Sequence, residues 1–214
     1  MKKFAVLGIL FILPITIYIF FASGKDNFAK LPILTESISE LTGFKTLEGA
    51  SLEFKDHITV LGFFGSNIEA TKGNAFNLAH KIYKKNHGFQ DFQLVILLPD
   101  GTQNEAIGLK SKLSEIADTE NWKFAFGTSE AIENVFNSLH SNFTLDTNYA
   151  TPYVFIIDKE GSLRGRDDDE DIGTLYGFKS SDVAEINNKM NDDIKVVLAE
   201  YRLALKKYKA KREI

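Results

Sequence analysis

The chain has 214 residues, of which 44% are hydrophobic and 25% charged, a composition typical of a folded globular protein and not of a disordered one. Its net charge of −4 gives no electrostatic basis for binding nucleic acid. Because the chain contains no cysteine, disulfides, thiolate metal ligands and thiol catalysis are excluded together.

Residues 1–24 have the pattern of a membrane anchor. Two lysines, Lys2 and Lys3, precede an uncharged and mostly apolar stretch that continues to Gly24, long enough as a helix to cross a bilayer core of about 30 Å. Lysines before such a segment favour a cytoplasmic N-terminus, with the domain in a bacterial periplasm. A cleaved signal peptide is the alternative, with the small residues 22–24 at the cleavage site. We therefore expect a single-pass protein of the bacterial inner membrane.

The rest of the chain is interpreted as a tether over residues 25–43, one domain over 44–207 and a basic tail over 208–214. Within the domain, continuous apolar runs alternate with segments of helical period. The predicted strands cover 44–47, 58–64, 92–98, 121–127, 152–158 and 162–166, and the predicted helices cover 68–87, 104–117, 129–139 and 181–207. Because apolar strands separated by helices form sheets covered on both faces, this order predicts an α/β, thioredoxin-like three-layer fold with a central mixed sheet, preceded by one transmembrane helix.

The last predicted helix carries a single apolar stripe. Its members recur at steps of three or four: Val183, Ile186, Met190, Ile194, Val197, Tyr201 and Leu205. Such a stripe predicts a helix that covers one face of the sheet, and it is too short to favour a dimerising coiled coil. The basic residues that follow are expected to form a solvated tail, with contact to anionic lipid headgroups as the alternative.

Several segments resemble one known family. The stretches NWKFAFGTSEAIENV, FIIDKEGSLRGR and EINNKMNDDIKVVLAEY are similar, in order and spacing, to motifs of Sco/SenC proteins. The strand ITVLGFFGSN falls where that family has V-x-F-G-F-T-x-C-P, and the resemblance extends over roughly residues 44–201. It implies a thioredoxin-like fold and a membrane-anchored protein connected with copper delivery to cytochrome oxidase and thiol redox work. The segment TPYVFIID alone would equally suit membrane-tethered thioredoxins of the TlpA type or peroxiredoxins.

The residues on which Sco/SenC chemistry depends are missing. The family uses a Cys-x-x-x-Cys pair at the first strand–helix junction and a distant histidine, a ligand set that suits copper because soft sulfur selects Cu(I). The resemblance places these three positions at Ser66, Ala70 and Ala150. In the TlpA register the pair would fall at Ile68 and Thr71, with the same result. The family's activities are therefore not expected here, and we predict no cofactor.

Two further expectations concern the same region. Ser66 is followed three residues later by Glu69, and this spacing predicts a capping box in which Ser66 is the helix N-cap. Pro152 lies where many thioredoxin-fold proteins have a cis-proline beside the active site, so the resemblance implies a cis peptide bond there.

A replacement site would have to use the histidines or the acidic side chains. His57, His80, His87 and His140 are the only histidines. His80 and His87 would lie about two helical turns, near 10 Å, apart, too far to bind a metal alone. The acidic run of Asp167, Asp168, Asp169, Glu170 and Asp171 lacks the spacing of a calcium loop. It is expected to be a solvated loop, with a docking patch for a basic partner or a weak cation site as the alternative.

Together these observations predict a non-catalytic protein that binds an unknown protein partner, as an accessory factor in respiratory or envelope assembly. The alternative is a copper-handling or redox protein that uses a site without cysteine. Its two methionines, Met1 and Met190, do not form a methionine-rich copper motif.

Overall fold

The structure, a computed structural model, describes residues 2–22 and 30–212, with the exception of the side chains of 205–212 and of several residues in the first helix. That helix, α1, covers Lys2–Ala22. Within the described part of the chain, no helix has both the length and the apolarity needed to cross a membrane.

One mixed sheet forms the centre of the domain. Its strands are β1 (Ile33–Thr35), β2 (Lys45–Thr46), β3 (Ile58–Phe64), β4 (Phe92–Pro99), β5 (Trp122–Gly127), β6 (Ala150–Ile157), β7 (Leu163–Arg164) and β10 (Phe178–Lys179), while β8 (Arg166–Asp169) and β9 (Gly173–Leu175) form a separate hairpin. The strand order is β1-β7-β6-β3-β4-β5-β2, with β10 beside β6. Strands β3, β4 and β5 are parallel and the other pairs antiparallel. The predicted mixed sheet is confirmed.

Helices cover both faces of this sheet. They are α2 (Ile68–Leu78), α3 (Lys84–Asn86), α4 (Gln103–Ser114), α5 (Ser129–Ser138), α6 (Val183–Glu185) and α7 (Asn191–Arg212). The buried residues of α2, α4 and α7 belong to one core, and those of α5 belong to a second core across the sheet. The helices on the two faces and the sheet between them make the predicted three layers.

Two helices contain a π-helical turn. One turn, Ala79–Tyr83, joins α2 to α3, and the other, Ile186–Met190, joins α6 to α7. In the first, the Lys84 N–H donates to the carbonyl of Ala79, and in the second the Asn191 N–H donates to that of Ile186. Each of these bonds spans five residues, as in a π-helix. The two turns contact one another.

The predicted tether over residues 25–43 is too long. From Leu31 onward the described chain belongs to the domain, because Leu31, Ile38 and Leu41 are buried and β1 pairs with β7. The apolar residues of this segment follow no helical or strand period, and β7 lies far away in sequence. A local pattern therefore could not reveal the segment's place in the fold.

The C-terminal boundary differs as well. Helix α7 continues to Arg212, so the predicted tail over 208–214 begins inside the helix. At the other end, Val183 is 41% exposed although the apolar stripe placed it in the core. The helix begins after Asp182, whose carboxylate accepts the Ala184 and Glu185 N–H groups, and the π-helical turn that follows changes which side chains face the sheet.

Candidate functional site

The junction between β3 and α2 is the position where the resemblance placed a reactive cysteine pair. Gly65 follows β3 with a φ of +67°, and a Cβ added there would lie 2.3 Å from the carbonyl oxygen of Asn148. It would also lie 2.9 Å from the Cβ of Ala150. The turn is thus held against the loop before β6 so closely that only glycine fits.

Ser66 binds this loop instead of capping the helix. Its N–H donates to the Asn148 carbonyl at 2.9 Å, and its hydroxyl donates to Asn148 Oδ1 at 3.3 Å. The N-cap of α2 is Asn67, whose Oδ1 accepts the Ala70 N–H. The N-cap was therefore predicted one residue too early, and the capping box is wrong. Asparagine and serine are equally good N-caps, so the sequence allowed either residue. Glu69 forms an ion pair with Lys72 at 2.9 Å.

The loop before β6 is ordered by one carboxylate. Asp146 Oδ1 accepts the N–H groups of Asn148 and Ala150 at 2.8 and 2.9 Å. Between them Tyr149 has a φ of +64°, an uncommon value for a bulky side chain. The structure thus brings Ser66 and Ala150 to the same loop, through Asn148.

The exposure of the junction residues separates the two possible registers. Ser66 and Ala70 are exposed, whereas Ile68 and Thr71 are buried. Thr71 Oγ1 also lies within hydrogen-bonding distance of the carbonyl oxygens of Phe64 and Ile68, at 3.4 and 3.3 Å. The Sco/SenC register therefore puts both of its positions on the surface, and the TlpA register puts both of its positions inside the domain.

The groups at this junction do not fit a copper site. Ser66, Asn67 and Asn148 supply a hydroxyl and amides, which are hard or weak ligands, and Cu(I) requires soft sulfur or imidazole. Across residues 2–22 and 30–212, no group of three histidine, aspartate or glutamate side chains is placed to hold a metal ion. The His87 ring stacks on Tyr83, with centroids 5.5 Å apart.

Pro152 corrects a second expectation. Its peptide bond is trans, as are all peptide bonds in the described chain. The pairing of β3 with β6 is irregular here, since Gly62 lies opposite Val154 but Phe64 lies opposite Ala150. The missing N–H of proline therefore falls where the ladder is interrupted, and the proline carbonyl accepts hydrogen bonds from Ser180.

The acidic run is not a free loop. Both Asp169 oxygens accept from Lys189 Nζ at 2.9 Å, and the ion pair between Lys189 and Asp171 measures 2.6 Å. Arg166 binds Asp193 with two bonds of 2.9 and 2.8 Å. The hairpin of β8 and β9 thus holds the second π-helical turn and α7 against the domain. Of the predicted docking or cation residues, three remain exposed and outside these ion pairs: Asp167, Asp168 and Glu170.

A second ionic cluster, centred on Arg164, was not predicted. Arg164 is 5% exposed and binds Asp158 at 3.1 Å and Glu200 at 2.8 Å. Its Nε donates to the Leu31 carbonyl at 2.8 Å, and the Leu31 N–H donates to Glu200 at 2.9 Å. We call these four residues the Arg164 cluster. It joins the first residues of the domain to the last helix.

Four aromatic side chains lie at the edge of the core on the sheet face that α5 covers. The half-buried residues Phe143, Tyr149, Tyr153 and Tyr176 pack at the edge of the second core, and we call them the aromatic surface. Phe143 and Tyr153 stack with centroids 3.7 Å apart.

Comparison with known proteins identifies the fold. No protein-family model and no curated protein matches the chain. A candidate electron transfer protein from Aquifex aeolicus VF5 superposes with a TM-score of 0.54 at 15% identity, covering 77% of this chain and 92% of that one. BsSco, described as a member of the Sco family of cytochrome c oxidase assembly proteins, gives 0.54 at 12% identity, with coverages of 79% and 98%.

A candidate protein disulfide isomerase from Bacteroides thetaiotaomicron also gives a TM-score of 0.54, at 11% identity over 80% of this chain and 95% of that one. At such identities the likeness defines the fold and not the activity. The chain therefore has a thioredoxin-like fold similar to that of Sco proteins, as predicted. The positions at which the sequence resemblance places the thiol pair are Ser66 and Ala70.

Proposed function

We propose that this chain is a membrane-anchored, periplasmic protein that acts by binding a protein partner, as a non-catalytic accessory factor in respiratory or envelope assembly. The observation that carries the proposal is the junction, where Ser66 and Ala150 meet at Asn148 and offer only hydroxyl and amide groups. A serine without a neighbouring base is a weak nucleophile. The scaffold is therefore proposed to work through its surface.

The aromatic surface is the proposed binding site. Half-buried tyrosine and phenylalanine side chains supply a large contact area at a low entropic cost, and they are enriched where proteins bind one another. The stacked pair Phe143 and Tyr153 is already fixed by packing, so binding would not need to order it. The likeness to BsSco, an assembly protein by its description, supports a role in assembly.

The proposed location rests on residues 1–24. The described side chains between residues 6 and 20 are mostly apolar and exposed, and a large exposed apolar surface is typical of a segment that contacts a membrane or another protein. The test is expression in a bacterium, followed by alkaline extraction of membranes and by protease treatment of spheroplasts. We expect the protein to stay in the membrane pellet and to be degraded from outside. Release by alkali would contradict anchoring, and protection from the protease would contradict the periplasmic location.

The binding proposal is tested by affinity isolation from solubilised membranes, with wild type beside Tyr176→Ser. Loss of an aromatic anchor at the centre of an interface typically weakens binding by about tenfold or more, so the partner should be recovered poorly by the variant. Ile107→Ser is the matched control, because Ile107 is an apolar side chain on α4 that is 54% exposed. No reproducible partner, or equal recovery with both variants, would refute the proposal.

The rival copper function is tested separately. We expect purified protein to carry no stoichiometric metal, and its melting temperature to stay unchanged in excess Cu(I) and Cu(II), because a ligand that binds the native state must raise that temperature. Stoichiometric copper with a raised melting temperature would overturn the non-catalytic proposal.

A further inference from the structure

We propose that the C-terminal half of α7 is a binding surface for anionic lipid headgroups, which fixes the domain against the membrane. The inference rests on the proposed membrane attachment and adds to it a second, electrostatic contact. Its chemical target is the phosphate of an acidic phospholipid at a bilayer surface.

The first observation is a segregation of charge. Six basic residues and no acidic residue occur between positions 202 and 212: Arg202, Lys206, Lys207, Lys209, Lys211 and Arg212. The whole chain has a net charge of −4, so the rest of it is strongly acidic. A basic segment at one end of an acidic domain is attracted to an anionic surface, while the domain itself is repelled.

The second observation is the backbone of this segment. Helix α7 continues through these positions to Arg212. The basic residues are therefore carried by a helix that extends about 18 Å beyond Glu200, at 1.5 Å per residue.

The third observation is the Arg164 cluster, which joins this helix to the start of the domain. The Leu31 N–H donates to Glu200, and Arg164 binds both residues. The point where the chain from α1 reaches the domain is therefore also the point where the basic half of α7 begins. Eight residues lie between Ala22 and Leu31, and the nine steps from one to the other span at most about 30 Å when extended. A domain tethered through α1 thus keeps the basic helix within reach of the headgroups.

The fourth observation is a groove of about 240 Å³ beside this point, lined by α7 and by the turns before β4 and after β6. Arg202 lies over the Phe89 ring at 5.8 Å, and among the described residues no carboxylate pairs with it. Lys159, by contrast, is paired with Asp91. The Arg202 guanidinium is exposed and keeps N–H donors for a phosphate.

The absence of cysteine allows a sharp experiment on the full-length chain. Tyr208→Cys introduces one thiol for an environment-sensitive fluorophore, and Glu133→Cys, on the exposed side of α5, provides the control position. Each labelled protein is reconstituted in nanodiscs of phosphatidylcholine alone, or with roughly 30% phosphatidylglycerol as a model anionic surface. Emission and quenching by neutral acrylamide are measured at low salt and at about 0.5 M NaCl, where charges are screened within a few ångströms.

With phosphatidylglycerol, we expect a blue shift and a loss of quenching at position 208, reversed by salt, and no change at position 133. Lys206→Gln with Lys207→Gln should weaken the attraction by roughly 25-fold, about fivefold for each charge, so that more anionic lipid is needed for the same shift. The matched pair Lys45→Gln with Lys112→Gln removes two exposed lysines on other elements, β2 and α4, and should leave the shift unchanged.

Equal emission in the two kinds of nanodisc would overturn the inference, and so would a shift that survives the loss of Lys206 and Lys207. Inorganic phosphate and polyglutamate are each added to the phosphatidylcholine discs, to test whether a different anion binds the helix. A shift caused by inorganic phosphate would indicate a small-anion site, and one caused by polyglutamate would indicate an acidic protein partner; either would replace the lipid surface. If the labelled protein co-elutes with neither kind of disc, membrane anchoring is refuted instead. The emission of the fluorophore at position 208 is then measured with phosphatidylglycerol vesicles, which tests the lipid contact by itself.

Discussion

Replacement of Arg164 by methionine tests the central ionic cluster of the domain. In the Arg164→Met variant the Asp158 and Glu200 carboxylates, whose side chains are 2% and 14% exposed, lose the cation that they share. The Leu31 carbonyl loses a donor as well. Removing one partner of a buried ion pair costs about 3–5 kcal/mol, because the remaining charge stays buried without compensation. That loss is a large fraction of the free energy of unfolding of a typical domain, which is roughly 5–15 kcal/mol.

The assay is urea unfolding of the full-length protein in a nonionic detergent, followed by the fluorescence of Trp122. This residue is the only tryptophan and is fully buried beside Tyr83, so its emission reports the packing of one core. Hydrogen exchange at β1 provides the local measurement. Because Leu31 is held by Arg164 and Glu200, we expect faster exchange over β1 in the variant.

A second variant separates the buried charge from lost packing. Adding Glu200→Met to Arg164→Met removes one orphaned carboxylate, so the double variant should recover part of the stability, since apolar replacements of buried ion pairs are often neutral. The reasoning is refuted by a loss below about 1 kcal/mol in the single variant, or by a double variant that is no more stable than the single one.

Three further predictions concern other contacts. Asn67→Ala removes the cap of α2 and should cost about 1 kcal/mol in urea unfolding, whereas Ser66→Ala should cost less; the opposite ranking would restore Ser66 as the cap. The triple change Ser66→Cys, Ala70→Cys and Ala150→His should create stoichiometric Cu(I) binding, measured by mass spectrometry, and no binding would refute the Sco/SenC register. A hydrogen bond from Lys110 lowers the pKa of Glu48 from 4.5 to about 2. The Glu48 carboxylate therefore contributes fully to the free energy of unfolding above pH 4.5, and this contribution disappears as the pH falls through 2. Glu48→Gln should make the free energy of unfolding less dependent on pH over that interval, and an unchanged pH profile would contradict this.

The sequence was sufficient for the elements whose signal is local. The strands β3, β4 and β5 are continuous apolar runs, and each was predicted within a residue or two because a doubly covered strand requires that pattern. The order of these runs and of the helical segments then predicted a thioredoxin-like fold, and the motif resemblance agreed with it. The resemblance also placed Ser66 and Ala150 at one site, which the hydrogen bonds through Asn148 now explain.

The parts that could not be predicted depend on contacts between distant residues. The Arg164 cluster joins residues separated by 133 and 36 positions, and nothing near Leu31 or Glu200 in sequence marks them as its members. The cap at Asn67 was missed for a related reason. Two adjacent residues can both cap a helix, and the choice was made by Asn148, which binds Ser66 from 82 positions away.

The two π-helical turns bear on how the length of this chain can change over evolution. A π-helical turn accommodates one extra residue inside an α-helix while the flanking turns keep their register. A deletion within Ile186–Met190 would therefore convert the turn to α-helix and leave Ile194 and Glu200 facing the domain as they do now. The same deletion a few residues later would rotate the rest of α7 by about 100° and turn Glu200 away from Arg164. We thus expect homologous chains to gain or lose single residues at these two turns and not within α7.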